Sequence, residues 1–310
     1  MKPFNPLTRR QFIATGAAIA GNLVMPAIAL ASTSSTLIKK AIPKSGEDLA
    51  VIGMGTSRTF EGSNDPQSIS TLKQVTQAFF DLGGGMIDSS PMYGSAQQIL
   101  GRILPQISHN KTLFAATKVW IDGQQNGIDQ MEQSRKLWGI QRFDLMQIHN
   151  LVDWETHLQT LQQMKAEGRI RYIGITTSHG RFHDDLQSIL RKHDFDFLQL
   201  SYNIAEREVE QSLLSIAAEK GIAVIVNRPY QRGSLFSKVK GKALPDFAQE
   251  FDCTSWGQFF LKFVVSHPAV NCAIPATSKV HHMQDNMQAG RGRLPDPKQR
   301  EQMIRYVEAL

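Results

Sequence analysis

The stretch Gly83-Gly84-Gly85-Met86-Ile87-Asp88-Ser89-Ser90-Pro91-Met92-Tyr93-Gly94-Ser95-Ala96-Gln97-Gln98-Ile99-Leu100-Gly101-Arg102-Ile103-Leu104 decides how this chain folds. The apolar pair Met86-Ile87 ends in a carboxylate at Asp88. Pro91, Gly94 and Ser95 then punctuate a loop. From about Ser95 onward Ile99, Leu100 and Ile103 share one helical face. The unit reads strand, loop, helix. Asp88 and Tyr93 stand at the handover, where α/β proteins place their chemistry.

Working outward, the same unit recurs. Short apolar runs at 50–54, 85–87, 113–117, 145–148, 172–175, 197–200, 222–226 and 270–274 read as eight strands. Segments of helical periodicity lie between them, at about 68–82, 154–167 and 206–219. Gly168 and Gly221 follow two of these as C-caps. The final segment, 297–310, reads as an extra helix docked on the outside. Strand–helix alternation implies parallel strands, and eight units of roughly thirty residues predict an α/β fold, a single-domain (β/α)8 TIM barrel over 46–310. A doubly wound sheet would need a glycine fingerprint after its first strand, and Gly53-Met54-Gly55-Thr56-Ser57-Arg58 lacks the third glycine.

The chain has 310 residues, 41% hydrophobic and 20% charged, ample for one large core. Residues 1–31 stand apart. They combine a basic head, the run Thr8-Arg9-Arg10-Gln11-Phe12-Ile13, a weakly apolar Ala/Gly middle and an Ala29-Leu30-Ala31 cleavage pattern. This is the make-up of a twin-arginine signal peptide. It predicts a periplasmic or otherwise exported protein carried by the twin-arginine machinery. Asn22 and Pro26 interrupt the apolar run, which argues against a stable membrane anchor. Residues 32–45, rich in Ser, Thr and Lys, read as a loose linker.

Cleavage after Ala31 removes Lys2, Arg9 and Arg10 and no acidic residue, so the formal charge falls from +6 to +3. No Lys/Arg block remains of the kind that binds nucleic acid. Cys253 and Cys272 leave a disulfide open, but the apolar run around Cys272 suits a buried small hydrophobe better. No His-x-His pair ends a strand, and the adjacent His281 and His282 point to different faces of a helix, so no metal site is expected.

In a barrel, the residues that end the strands line one mouth. Here they are Asp88 with Tyr93 after the second strand, Lys118 after the third and His149 after the fourth. A tyrosine is a poor acid near neutral pH. A nearby ammonium favours its ionised form, and a carboxylate keeps that ammonium placed and charged. A histidine beside it can polarise the same carbonyl oxygen. The set suits hydride delivery to an aldehyde or ketone, with a nicotinamide cofactor as hydride source. Apolar loop residues would wall the pocket, Trp120 foremost, with Met92 and Phe60 as partners.

The sequence resembles the aldo-keto reductases over nearly all of the mature chain. The resemblance rests on Asp88-Ser89-Ser90-Pro91-Met92-Tyr93-Gly94 with Leu100-Gly101, on Thr117-Lys118-Val119, and on Leu145-Met146-Gln147-Ile148-His149. A fourth motif is Ile274-Pro275-Ala276-Thr277-Ser278-Lys279, with His282 and Asn286 behind it. The resemblance implies Tyr93 as general acid, Lys118 and Asp88 as its tuning pair and His149 as carbonyl orienter. It implies Gln199 on the nicotinamide carboxamide and Gly55 and Thr56 near the cofactor. Thr277, Ser278 and Lys279 would meet the adenosine phosphate end and Asn286 the adenine.

The chain also departs from the family pattern. Thr176-Thr177 replaces a frequent Ser-Asn, so Thr176 keeps a hydroxyl while Thr177 loses the amide. Asn227-Arg228-Pro229 stands where many members stack an aromatic ring, so Asn227 and Arg228, with Tyr230 nearby, would hold the nicotinamide by polar contacts. His282 stands where an arginine often meets the 2'-phosphate. Lys279 can compensate, which favours NADP(H) over NAD(H). Gln97 replaces a frequent acidic residue. The expected protein is a monomeric reductase of small carbonyl compounds. The alternative is a non-catalytic nicotinamide-nucleotide sensor on the same fold, as in the potassium-channel beta subunits.

Overall fold

The computed structural model describes residues 36–62 and 65–310. The expected signal peptide and the first part of the expected linker lie outside the described residues. What is described of that linker is not loose. Strand β1 (Lys39–Ala41) pairs antiparallel with β2 (Asp48–Ala50), and Ile42 between them is fully buried. The Lys40 ammonium donates to the carbonyls of Val265, His267 and Val270 at 2.6–2.9 Å. These partners lie more than 220 residues away, so nothing in the local composition announces them.

Eight parallel strands follow: β3 (Met54–Gly55), β4 (Met86–Asp88), β5 (Phe114–Val119), β6 (Phe143–His149), β7 (Ile170–Thr176), β8 (Phe197–Ser201), β9 (Ala223–Asn227) and β10 (Val270–Ala273). Each pairs with the next in chain order. The sheet then closes on itself. Gly53 N donates to Ala273 O at 2.8 Å, Ala273 N to Val51 O at 2.9 Å, and Gly55 N to Pro275 O at 3.2 Å. This is the (β/α)8 barrel that the alternation predicts. The first strand is much shorter than its apolar run, because Val51 to Gly53 pair across the closing seam with Ala273 at the end of β10.

Helices alternate with the strands, among them Pro66–Asp81, Ala96–Ile103, Gln124–Trp138, Trp154–Ala166, His183–Lys192 and Trp256–Ser266. Asp65 caps the first of these by accepting from Ser68 N at 2.9 Å, with Pro66 preset for a first helical turn. The expected helix over 206–219 is broken instead. A 3-10 turn at Glu208–Gln211 and the helix Leu213–Glu219 are separated by Ser212 at φ −152°. The terminal helix, Pro297–Glu308, is present and carries a capping box between Asp296 and Gln299.

Two apolar layers result. One lies between sheet and helices; the other fills the barrel interior with Met86, Phe114, Ala116, Leu145, Tyr172, Phe197, Ala223 and Ile225. Ile42 and Leu49 from the hairpin belong to this inner cluster and plug the N-terminal end of the barrel. Because side chains alternate along a strand, each inward row changes character once. Phe114-Ala116 gives way to Lys118, Leu145 to Gln147 and His149, Phe197 to Gln199, and Ile225 to Asn227. The apolar plug thus ends in a polar layer at the C-terminal mouth. Both cysteines are buried and free, in keeping with the reading of Cys272 as a small hydrophobe. No helix among the described residues is long and apolar enough to cross a membrane.

Candidate active site

The polar layer is built on Asp88, buried at the end of β4. Its Oδ2 accepts from Lys118 Nζ at 2.6 Å, and its Oδ1 accepts from the side-chain amides of Gln147 at 2.9 Å and Gln199 at 3.0 Å. Lys118 Nζ also donates to Ser89 O at 2.8 Å and lies 5.1 Å from the centre of the Tyr93 ring. Burial alone pulls the Lys118 ammonium down, but the carboxylate of Asp88 and the hydroxyl of Tyr93 outweigh it and hold its pKa above the ordinary lysine value. The ammonium is therefore locked in its charged form.

Tyr93 is half-buried in the loop that the opening stretch encodes. A turn closes by Tyr93 N donating to Ser90 O at 3.1 Å, and the helix Ala96–Ile103 starts after Ser95. Burial raises the Tyr93 pKa, and the Lys118 charge offsets only part of that. The ammonium acts as expected but does not win: the phenol keeps its proton through neutral pH. His149 stands edge-on to Tyr93, with ring centres 6.3 Å apart. Burial, aided by the Lys118 charge, pushes its pKa down to about 3, so the imidazole is neutral. Its Nδ1 meets Ser90 Oγ at 3.2 Å. The four residues expected at the mouth are thus brought together.

Trp120 borders the mouth, 41% exposed, with its ring centre 6.2 Å from that of His149. The side-chain amide of Gln130 pins its backbone at both N and O. Met92 is also exposed, but Phe60 is fully buried in the outer core and walls no pocket.

The expected cofactor residues divide. Thr56 spends its hydroxyl on Asp88 O at 2.9 Å. Gly55 sits on the barrel seam, where a Cβ would come within 2.6 Å of Ile274 O. Gln199 is turned into the floor. Its amide nitrogen donates to Asp88 and to Gln147 Oε1, and its Oε1 accepts from Asn227 and Thr176. Asn227 likewise spends its amide protons on Thr177 O and Gln199, and its Oδ1 accepts from Ser201 Oγ at 2.7 Å. Both are tied to the Asp88 network, where the sequence reading had them facing a nucleotide. Tyr230 bonds Asn286 Oδ1 at 2.6 Å, which puts it beside the residue expected at the adenine.

The remaining residues fall in two anion-seeking groups, Thr277 to His282 at a helix start and Arg228 after β9. Thr277 Oγ1 accepts from Lys279 N at 3.1 Å. Ser278, Lys279 and His282 are exposed around the start of the helix Val280–Gln288, whose free N–H groups favour negative charge. Arg228 Nε is buried with no hydrogen-bond partner among the described residues, and its guanidinium reaches only to 3.9 Å from Glu206. An orphaned cationic donor and a lysine at a helix start are a donor set that fits a phosphate-bearing nucleotide.

Sequence reasoning gave no role to three residues. Gln147 lies two before His149 on the same inward face, a signal that strand periodicity carries. Ser90 lay inside the quoted motif. Gln97 is buried and accepts from Thr117 Oγ1 at 3.0 Å and Trp138 Nε1 at 3.1 Å, while donating to Ser134 Oγ at 3.1 Å. It ties the helix after Tyr93 to the strand that carries Lys118.

The comparisons agree with this fold. An aldo-keto reductase of Bacillus subtilis, YhdN, is 27% identical over 218 residues, 64% of each chain. The matched region therefore spans less than two thirds of that relative. The NADH-specific methylglyoxal reductase of Escherichia coli is 23% identical over 250 residues, 68% of this chain and 73% of its own. Among solved structures, the holo form of a Bacillus halodurans aldo-keto reductase superposes with a TM-score of 0.72 at 19% identity, covering 88% of this chain and 96% of that one. A Klebsiella pneumoniae aldo/keto reductase in complex with NADP and acetate gives 0.72 at 20% identity, covering 87% and 96%. The profile of the Aldo/keto reductase family matches residues 51–302, from the barrel seam into the last helix, and the chain belongs to that family.

Proposed function

We propose that the protein reduces small aldehydes or ketones to alcohols, or runs the reverse oxidation, with NADP(H) preferred over NAD(H). The observation that carries this reading is Tyr93 placed beside the buried Lys118–Asp88 pair, with His149 on its edge. Thr277, Ser278, Lys279, His282, Asn286 and Arg228 would hold the nucleotide, which supplies the hydride when bound.

The chain's own residues handle the proton. A carbonyl oxygen seated between Tyr93 and His149 gains negative charge as the carbon is reduced. Tyr93 gives it the hydroxyl proton, and the adjacent Lys118 ammonium stabilises the phenolate left behind. Asp88, fixed by Gln147 and Gln199, keeps that ammonium in place. His149 donates a hydrogen bond to the same oxygen. Trp120 and Met92 give the substrate an apolar wall and exclude water.

The Klebsiella neighbour binds NADP, while the E. coli relative is named NADH-specific. Family membership therefore leaves the choice of nucleotide to residues such as Lys279 and His282. The leader is consistent with export of the folded chain by the twin-arginine route, nucleotide already aboard. The closed barrel offers no strand edge to pair, which is consistent with a monomer.

The test is a fluorescence titration of NADPH and NADH, then loss of reduced-nicotinamide absorbance with a panel of small aldehydes and ketones. Turnover with NADPH ahead of NADH supports the reading. Tight binding with no turnover on any carbonyl would favour the nucleotide sensor, and no binding at all would overturn both.

A further inference from the structure

We infer that Ser90 is a positioning residue: its hydroxyl donates to His149 Nδ1 and thereby fixes the Nε2–H tautomer that must face the carbonyl. This rests on the reductase reading above and adds to it a residue outside the Asp, Tyr, Lys and His set.

The argument is a count of protons at one buried atom. Ser90 is fully buried. Its Oγ has two contacts: it accepts from Met92 N at 3.4 Å, and it meets His149 Nδ1 at 3.2 Å. A serine hydroxyl carries one proton and accepts through its lone pairs. If Nδ1 held the imidazole proton, Oγ would accept twice and its own proton would have no acceptor among the described residues. Leaving a buried donor unmade costs about 1–3 kcal/mol. If Nδ1 is bare, the hydroxyl proton goes to it, the Met92 N–H goes to the oxygen, and every group is satisfied. The second arrangement wins by that margin, roughly fivefold to 150-fold in population.

The backbone holds the hydroxyl where this works. Ser89 N donates to Ala116 O at 3.0 Å, and Ser90 O takes the Tyr93 N–H at 3.1 Å. The turn that aims Tyr93 therefore also aims Ser90 at the histidine, so acid and orienter share one scaffold. His149 sits 5% exposed at the end of β6. With Nδ1 engaged, Nε2 is the nitrogen left for a substrate oxygen. A neutral imidazole can donate from one nitrogen only, so the tautomer decides whether His149 assists or merely occupies space.

The experiment uses the whole mature protein with its nine histidines labelled with nitrogen-15, the His149 signals being assigned through His149→Gln. At neutral pH the wild type is expected to show an unprotonated Nδ1 and a protonated Nε2, and Ser90→Ala a mixture of tautomers. The kinetic arm is a double-mutant cycle. Ser90→Ala should lower kcat for carbonyl reduction about tenfold, less than the roughly hundredfold for loss of a donor itself, with the Kd for NADPH unchanged. In the His149→Gln background, where an amide donor has no tautomer to set, Ser90→Ala should add no further loss. Multiplying losses, or a wild-type protein protonated at Nδ1, would overturn the proposal. If no variant and no wild type reduces any carbonyl, the reductase reading fails, while the spectra still decide the role of Ser90.

Discussion

Replacing Lys118 by methionine removes one half of an ion pair 2.6 Å long and buried on both sides. Methionine fills much of the space without the charge. Asp88 then keeps its amide partners Gln147 and Gln199 but has lost its counter-ion. Breaking a buried pair from one side costs about 3–5 kcal/mol, because the remaining charge is left uncompensated. For a domain of this size each kcal/mol moves Tm by roughly 2–4 °C, so Lys118→Met should melt about 10 °C lower. The double variant Lys118→Met with Asp88→Asn buries no charge and should recover about 3 kcal/mol of that loss. It should recover none of the activity, since the ammonium beside Tyr93 is still missing. Circular-dichroism melts and carbonyl-dependent NADPH oxidation on the four proteins of the cycle give both readouts. Additive destabilisation in the double variant would refute the reasoning, because it would mean that the two charges do not stabilise one another. The sign with pH follows from the raised Lys118 pKa: the contribution of the pair is complete below the ordinary lysine value of 10.5 and is lost as pH rises through the folded-state value.

His149 gives the opposite pH signature. Its folded-state pKa of about 3 lies below the ordinary 6.5, so the unfolded chain binds the extra proton first and stability falls as pH drops from 6.5 toward 3. At pH 4.5 the loss from this residue should be about 3 kcal/mol, and urea melts of His149→Gln should lack that share of the acid loss. Gly101→Ala would place a Cβ 1.8 Å from Leu137 O; forcing the helices Ala96–Ile103 and Gln124–Trp138 apart should cost at least 1–3 kcal/mol, visible as a lowered Tm. Lys279→Ala should raise KM for NADPH about tenfold more than for NADH, the worth of one charge-assisted phosphate contact; equal effects on both would remove Lys279 from the 2'-phosphate. Arg9→Lys with Arg10→Lys should leave the protein in the cytoplasm on cell fractionation if the leader uses the twin-arginine route.

The barrel was legible because its strands are apolar runs that end abruptly, and because one unit, strand to Asp88 to Tyr93 to helix, repeats its logic around the chain. The clustering at the mouth was legible for the same reason: Lys118, His149 and Asp88 are the polar ends of apolar rows. What escaped the sequence was whatever depends on partners far along the chain. Lys40 looks like one more charge in a polar segment until it meets three carbonyls near residue 267. Gln199 and Asn227 have the right chemistry to hold a nicotinamide amide, yet each amide proton is spent inside the floor of the mouth. Choosing among acceptors for an amide needs coordinates. The Tyr93 pKa shows a similar limit, since the sequence names the ammonium that lowers it but not the burial that raises it more.

The measurement that bears most directly on the central claim is the steady-state rate of NADPH oxidation by Tyr93→Phe against wild type, on whichever aldehyde the wild type turns over fastest. Phenylalanine keeps the ring against His149 and removes only the hydroxyl that carries the proton. The account predicts a fall in kcat of about 10²–10⁴-fold, with the Kd for NADPH unchanged. A Tyr93→Phe enzyme that retains the wild-type rate would contradict it, because the proton would then be coming from elsewhere.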